Sequence, residues 1–344
     1  MPFIDEILQY KSVSIVGMEK NSGKTETLNY IIRRLKGEKI AVTSIGIDGE
    51  TIDQVTNTHK PEIDLFENSL FITSEKHYHE RKLLSEILDI STQHTSLGRL
   101  ITAGTISKGK VILSGPSNMA WLKEMIDSLA KHDIVTTIVD GALSRKSFGS
   151  PSVTEAMILT TGAVLSPQIS DIVKKTAQLH HLINIEKYQT PHLSTLLNIE
   201  KGIHAIGEEG SIHDLNIPST LLLDKHKERL WEYGNTFFVA GVLSDKMLNL
   251  LRIQKSIQET IVVVKDFTKI YASPESISAF TQKGGQIQVL LKTKLIAVCI
   301  NPTSPTGYTV NSDKLKIALE QQLNVPVYDI KMRNDENAIT MQEI

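Results

Sequence analysis

The residues best suited to chemistry lie near the N-terminus, in Gly17-Met18-Glu19-Lys20-Asn21-Ser22-Gly23-Lys24-Thr25. A β-rich run, Ser12–Val16, precedes them and an amphipathic pattern follows at once. Backbone N–H groups turned inward between a strand and a helix make an anion-sized nest, and the helix N-terminus adds partial positive charge. Gly23 lets the backbone pass close to phosphate oxygens with no Cβ in the way. Lys24 would reach the β- and γ-phosphates of a nucleotide, and the Thr25 hydroxyl would ligate Mg²⁺. Lys20, Asn21 and Ser22 complete the expected nucleotide-binding set, with Gly17 closing the strand and Glu26 in the first helical turn. The expected cofactors are therefore ATP and Mg²⁺. The spacing is a variant one. Five residues separate Gly17 from Gly23 where the usual motif has four, so Met18 stands in the first-glycine position.

A phosphate loop of this kind needs a carboxylate at the end of another strand, to hold Mg²⁺ or its water shell. Asp140 is the leading candidate, since Ile134–Val139 reads as a strand and Asp140-Gly141 closes it. Carboxyl ends of strands in an open α/β sheet face the ligand crevice. Asp48 and Glu50 follow the second predicted strand, in Ile45-Gly46-Ile47-Asp48-Gly49-Glu50, where a carboxylate could orient a water or bind Mg²⁺. A turn built on Asp48-Gly49 is the alternative there. Lys24, Asp48 and Asp140 form the expected catalytic group; Thr25, Asp48, Glu50 and Asp140 form the expected metal group.

Other polar sets carry less. Ser114-Gly115-Pro116-Ser117 ends another predicted strand, and Ser144-Arg145-Lys146-Ser147 is a contact to phosphate or a partner, or else a solvated basic turn. His77 and His79 could share a face only in an extended strand, and His180 and His181 point apart, so no zinc site is expected. The single cysteine, Cys299, lies in the apolar run Leu295–Ile300 and reads as a buried structural thiol.

Short β-rich runs alternate with helical patterns through about residue 190. Predicted strands are Ser12–Val16, Ile40–Ile45, Leu70–Thr73, Val111–Ser114, Ile134–Val139, Ala163–Leu165 and Leu182–Ile185. Predicted helices are Thr25–Lys36, Met119–Lys131 and Ser152–Leu159. In the first of these Leu28, Ile31, Ile32 and Leu35 recur at i, i+3, i+4 and i+7. Later strands are expected at Thr236–Ala240, Thr260–Lys265, Ile287–Leu291, Leu295–Ile300 and Val325–Asp329. The helices among them are Lys246–Gln254, Pro274–Gln282 and Asp313–Gln322, the last capped by Ser312. The expected fold is α/β: a P-loop NTPase-like, mainly parallel sheet with helices on both faces over residues 1–190. A smaller C-terminal α/β domain over 191–344 is expected to bind a partner.

Composition narrows the function classes. With 344 residues, 40% of them hydrophobic, the chain can bury two sizeable cores. A net charge of -2 argues against a general nucleic-acid or anionic-membrane binder. One cysteine allows no internal disulfide, which suits a reducing compartment. Met1–Tyr10 lacks the basic start and apolar core of a secretory signal, so a cytoplasmic location is expected.

Three segments together carry a resemblance: 16–25, 43–50 (Thr43-Ser44-Ile45-Gly46-Ile47-Asp48-Gly49-Glu50) and 139–147 (Val139-Asp140-Gly141-Ala142-Leu143-Ser144-Arg145-Lys146-Ser147). They resemble the P-loop subunit of the reactivating factor for adenosylcobalamin-dependent lysine 5,6-aminomutase, whose relatives accompany ornithine 4,5-aminomutase. The resemblance is densest over roughly the first 180 residues. It implies an ATP-dependent, chaperone-like role: opening an inactivated aminomutase so that damaged cobalamin exchanges for an intact cofactor. It also implies two partners, a MutS-like second reactivase subunit and the aminomutase itself. Lys24 and Thr25 would bind phosphates and Mg²⁺, and Asp140 would complete the metal site. Two other classes share the cradle. Dethiobiotin synthetases carry the longer glycine spacing and phosphorylate a small carbamate or carboxylate, but they are compact single domains. A nucleotide-dependent regulatory switch would bind ATP without chemistry. The absence of Asn-Lys-x-Asp favours ATP over GTP.

Overall fold

A computed structural model of the chain describes residues 2–45, 62–116, 118–142, 153–207, 209–225 and 227–331. The chain divides into two compact units, one of Met1–Ala177 with Thr293–Ile344, the other of Gln178–Lys292.

The first unit is built on a nine-stranded sheet. With strands numbered in chain order, its members are β1 (Ser12–Gly17), β2 (Ile40–Ser44), β4 (Leu70–Ser74), β5 (Ser85–Thr95), β6 (Gly98–Thr105), β8 (Thr136–Ala142), β9 (Ala156–Gly162), β15 (Lys294–Asn301) and β16 (Val327–Asp329). They run in the order β16-β15-β9-β1-β8-β2-β4-β6-β5. Every pairing from β16 to β4 is parallel, and β6 and β5 add an antiparallel hairpin at one edge. A separate antiparallel pair joins β3 (Ile63–Leu65) to β7 (Gly109–Val111). The helices of this unit are α1 (Pro2–Ile7), α2 (Lys24–Arg34), α3 (Glu75–His79), α4 (Met119–Leu129), most of α5 (Ile169–Ile183) and α9 (Ser312–Leu323).

Both faces of the sheet are covered, because neighbouring residues of one strand enter different cores. Ile138 packs with Ile15, Leu28, Ile31 and Phe3, on the side of α1 and α2. The next residue, Val139, packs with Leu122 and Ile126 of α4. The same alternation places Val42 and Phe71 in the first core, and Ala41, Leu70 and Ile72 with Trp121 in another. This is why the central strands read as apolar runs without alternation. In α2 the predicted stripe is the one buried: Leu28, Ile31 and Ile32 are fully covered. Each contributes about 1.5–3 kcal/mol of transfer free energy against the chain entropy lost on folding.

The second unit holds β10 (Ile203–Ile206), β11 (Ile212–Ile217), β12 (Thr236–Val239), β13 (Ile261–Val264) and β14 (Gln286–Val289), in the order β11-β10-β12-β13-β14. The last three pair in parallel; β10 is antiparallel to both neighbours. Its helices are α6 (Leu193–Asn198), α7 (Asp245–Leu251) and α8 (Pro274–Thr281). Phe237, Val262 and Val264 pack with Leu248, Leu251 and Phe280 on one face, and Phe238 and Val263 pack with Leu196 on the other.

Several expectations are corrected. The division of the chain into 1–190 and 191–344 misplaces the C-terminal segment, because β15 and β16 extend the large sheet beside β9 and the smaller unit is an insertion. The helix expected over Ser152–Leu159 is strand β9 from Ala156 onward, and all seven residues of that strand are buried. A short apolar run buried on both faces has no periodicity to separate helix from strand. Ala163–Leu165 is a 3₁₀ turn, Leu182 and Ile183 end α5, and of Val111–Ser114 only Val111 lies in a strand. Ser312 does not cap α9. Asn311 does, accepting from the Lys314 amide at 2.9 Å, while the Ser312 hydroxyl donates to Asp329.

Candidate functional site

At the carboxyl end of β1 the chain turns through Met18–Gly23 into α2. Two residues there take left-handed backbone, Asn21 (φ 64°) and Gly23 (φ 95°). Gly23 occupies the N-cap position and provides no side-chain cap. The opening amides of a helix have no partner within it, so this end presents donors and positive potential to the space above β1. Gly17 is sterically required: a Cβ there would collide with the Ser22 hydroxyl and stand 2.8 Å from Cγ of Lys24. Lys24 thus folds back over the loop from the first turn of α2.

The loop is tied down by strands on one side of β1. From β9, the Thr160 carbonyl accepts from the Met18 amide at 2.9 Å, and the Thr160 hydroxyl bonds the Ser22 hydroxyl at 2.8 Å. From β15, Asn301 Nδ2 donates to the Asn21 carbonyl at 3.0 Å. The Thr176 hydroxyl of α5 lies 3.4 Å from the Met18 sulfur.

Asp140 comes from β8, on the opposite side of β1. Its Oδ1 is 4.0 Å from Lys24 Nζ, with the two side chains 25% and 21% exposed. That separation keeps attraction but exceeds hydrogen-bond range. The strand does not end at Asp140 as expected. It runs on to Ala142, with Asp140 in register with Ile15 and with Ser44 of β2. The backbone carbonyl of Asp140 accepts from the Ile45 amide at 3.1 Å, which fixes the residue at the crevice edge.

The structure brings together Gly17, Lys20, Asn21, Ser22, Gly23, Lys24, Thr25 and Glu26 around one turn, with Asp140 facing Lys24. Lys20, Asn21 and Glu26 are exposed, Thr25 is half-buried and Ser22 is buried. Asp48 and Glu50, like Ser117 and Ser144–Ser147, lie outside the described residues. Ser114 is not at an open edge: it is buried and bonds Nδ1 of buried His77 at 2.5 Å. His79 is exposed on the short helix α3, and His180 and His181 lie on α5. Cys299 is buried, and burial pushes its thiol up to about 12, well out of the reactive range. Thr160 and Asn301 were missed by sequence reasoning. A usable signal existed for Asn301, which follows the predicted strand Leu295–Ile300 just as Asp140 follows Ile134–Val139.

Thr25 and Asp140 offer oxygen only, the donor type a hard cation takes, and no cluster of three or more His, Cys, Asp or Glu able to hold a metal ion occurs among the described residues. Compared with protein-family models, curated proteins and solved structures, the chain finds no match in any of the three.

Proposed function

We propose that this chain is a P-loop NTPase-like ATP-binding protein, and that it is the nucleotide-binding subunit of a factor that reactivates an adenosylcobalamin-dependent aminomutase. One observation carries the nucleotide reading. An uncapped helix follows a buried strand through a left-handed glycine, and its first residue, Lys24, faces Asp140 on the adjoining parallel strand. Backbone donors, a cation and a carboxylate at one crevice edge match a Mg²⁺-bound triphosphate.

In this reading the amides at the start of α2 orient the terminal phosphates, and Lys24 neutralises charge on their oxygens. Thr25 and Asp140 would hold Mg²⁺, which when bound supplies charge stabilisation to the β- and γ-oxygens. ATP is assigned over GTP because Asn-Lys-x-Asp is absent. No helix among the described residues is long and apolar enough to cross a membrane, and action in the cytoplasm is part of the proposal.

The reactivating role rests on the three segments that resemble such subunits. It requires a MutS-like companion and an aminomutase as partners. The test is recovery of turnover by inactivated lysine 5,6-aminomutase or ornithine 4,5-aminomutase, supplied with ATP, Mg²⁺, intact cofactor, the companion subunit and this chain. Recovery that depends on the chain and on ATP is expected. Recovery no faster than in its absence would reject the role.

A further inference from the structure

Asn301 lies 280 residues beyond the phosphate loop, in the segment that rejoins the first unit after residue 292. Its side-chain amide is committed at both ends. Nδ2 donates to the Asn21 carbonyl at 3.0 Å, and Oδ1 accepts from the Thr303 amide at 3.1 Å. The two partners dictate the orientation of the amide, since a carbonyl needs a donor and an N–H needs an acceptor. Behind Asn301 the turn is itself closed: Ser304 N donates to Tyr308 O at 2.9 Å, and Val310 N to Pro302 O at 2.9 Å. The Asn301 side chain therefore projects from a braced turn.

What it holds is a backbone of unusual shape. Asn21 is left-handed at φ 64°, a conformation that asparagine tolerates better than most residues. Because a peptide is planar and trans, anchoring the Asn21 carbonyl also sets the direction of the Ser22 N–H, which donates to the Glu19 carbonyl at 3.3 Å and closes the turn that shapes the loop. Two residues on, Gly23 is left-handed as well, and a Cβ there would stand 3.1 Å from the Asn301 Cβ. Asn301 thus bears on both left-handed positions that shape the cradle.

We infer that Asn301 is a positioning residue for phosphate binding: it holds the Asn21–Ser22 peptide so that the cradle is formed before the triphosphate arrives. The inference rests on the phosphate-binding reading above. A loop that is competent only part of the time binds more weakly by that fraction, so holding it raises affinity without touching the ligand.

The experiment uses the full chain with two variants. Asn301→Asp keeps an acceptor for Thr303 and loses the donor to Asn21; Asn301→Ala loses both but keeps the Cβ beside Gly23. Amide hydrogen exchange over residues 17–25 is measured without nucleotide, together with the thermal midpoint and the affinities for MgATP and for inorganic triphosphate. Both variants should exchange faster over that stretch and keep the wild-type midpoint. Both should bind the two ligands about fivefold more weakly, by a common factor. Unchanged exchange and affinity would overturn the inference. So would a loss confined to MgATP, which would put Asn301 on the nucleoside, or a fall in midpoint that tracks the affinity, which would make its role structural. If the wild type binds neither ligand, the phosphate-binding reading fails and takes this one with it. If the wild type binds and the variants match it, only the role of Asn301 falls.

Discussion

At the start of α8, Ser273 accepts from the Ser276 amide at 3.2 Å and Pro274 occupies the first turn. Asp245 closes the arrangement by accepting from the Ser273 amide at 2.7 Å and from its hydroxyl at 2.8 Å. At the start of α2 nothing comparable exists: the cap position is a left-handed glycine without a side-chain bond. The helices α3, α4 and α9 follow the first pattern, with Ser74, Asn118 and Asn311 as caps. Two further helices, α6 and α7, begin as α2 does without a side-chain cap, their cap residues being His192 and Ser244. At α2 the first helical residues are Lys24 and Thr25, and Asp140 faces Lys24 across 4.0 Å. Under the proposed function, what sets α2 apart is therefore the cation and carboxylate beside its opening, the partners an anion with its metal would need, and not the missing cap alone.

Three experiments sharpen or break that contrast. The largest effect is expected at Lys24. Lys24→Ala should weaken MgATP binding by about two orders of magnitude, since charge-assisted bonds are lost. Its stability should change by less than about 0.5 kcal/mol, because the side chain is partly exposed. Titration calorimetry and thermal unfolding read the two quantities separately; a variant that binds as well as the wild type would erase the distinction between the two helix ends.

A mirror-image result is expected at α8. Ser273→Ala should cost about 1 kcal/mol of stability in the second unit and leave nucleotide affinity as it was. Urea unfolding followed by the fluorescence of Trp231, which packs against that core, reports the loss. An intact midpoint would show that the cap is ornamental.

The smallest effect is one of pH. The carboxyl of Asp245 is held below its ordinary range, first by the Ser276 hydroxyl and then by the Ser273 amide and hydroxyl. A depressed folded-state pKa gives stability that is present above the unfolded value and disappears as pH falls through the folded one. The second unit should therefore lose stability as pH drops below about 4. Asp245→Asn should flatten that acid limb, and urea midpoints collected from pH 6 to pH 3 would reveal it. Parallel acid limbs in the two proteins would remove Asp245 from the account.

The strand, turn and helix that carry Gly17–Glu26 are legible in the sequence because their parts are local. A strand, a glycine turn and an amphipathic helix follow one another within some two dozen residues, and each has its own pattern. Asp140 was reachable for a related reason: it follows an apolar run, and carboxyl ends of such runs gather at one crevice. Thr160 stays hidden because the run leading into it, Ser152–Leu159, reads as a helix. With every residue buried, β9 shows no alternation to betray its period. The hairpin β5–β6 was overlooked because β5 is an edge strand, largely exposed, polar over much of its length and interrupted by bulges. The inserted unit reads as a C-terminal domain, since nothing in the composition of Leu295–Ile300 says which sheet it joins. Long-range pairing decides that, and a linear pattern does not carry it.

Under the proposed function, the uncapped start of α2 receives the phosphates of a magnesium nucleotide. The most direct test is calorimetric titration of the intact purified chain with ATP, with and without Mg²⁺. Saturable binding that strengthens with the metal and weakens when Asp140 is changed to Asn is the predicted result. A flat titration for ATP and for every other nucleoside triphosphate, at any magnesium concentration, would contradict it.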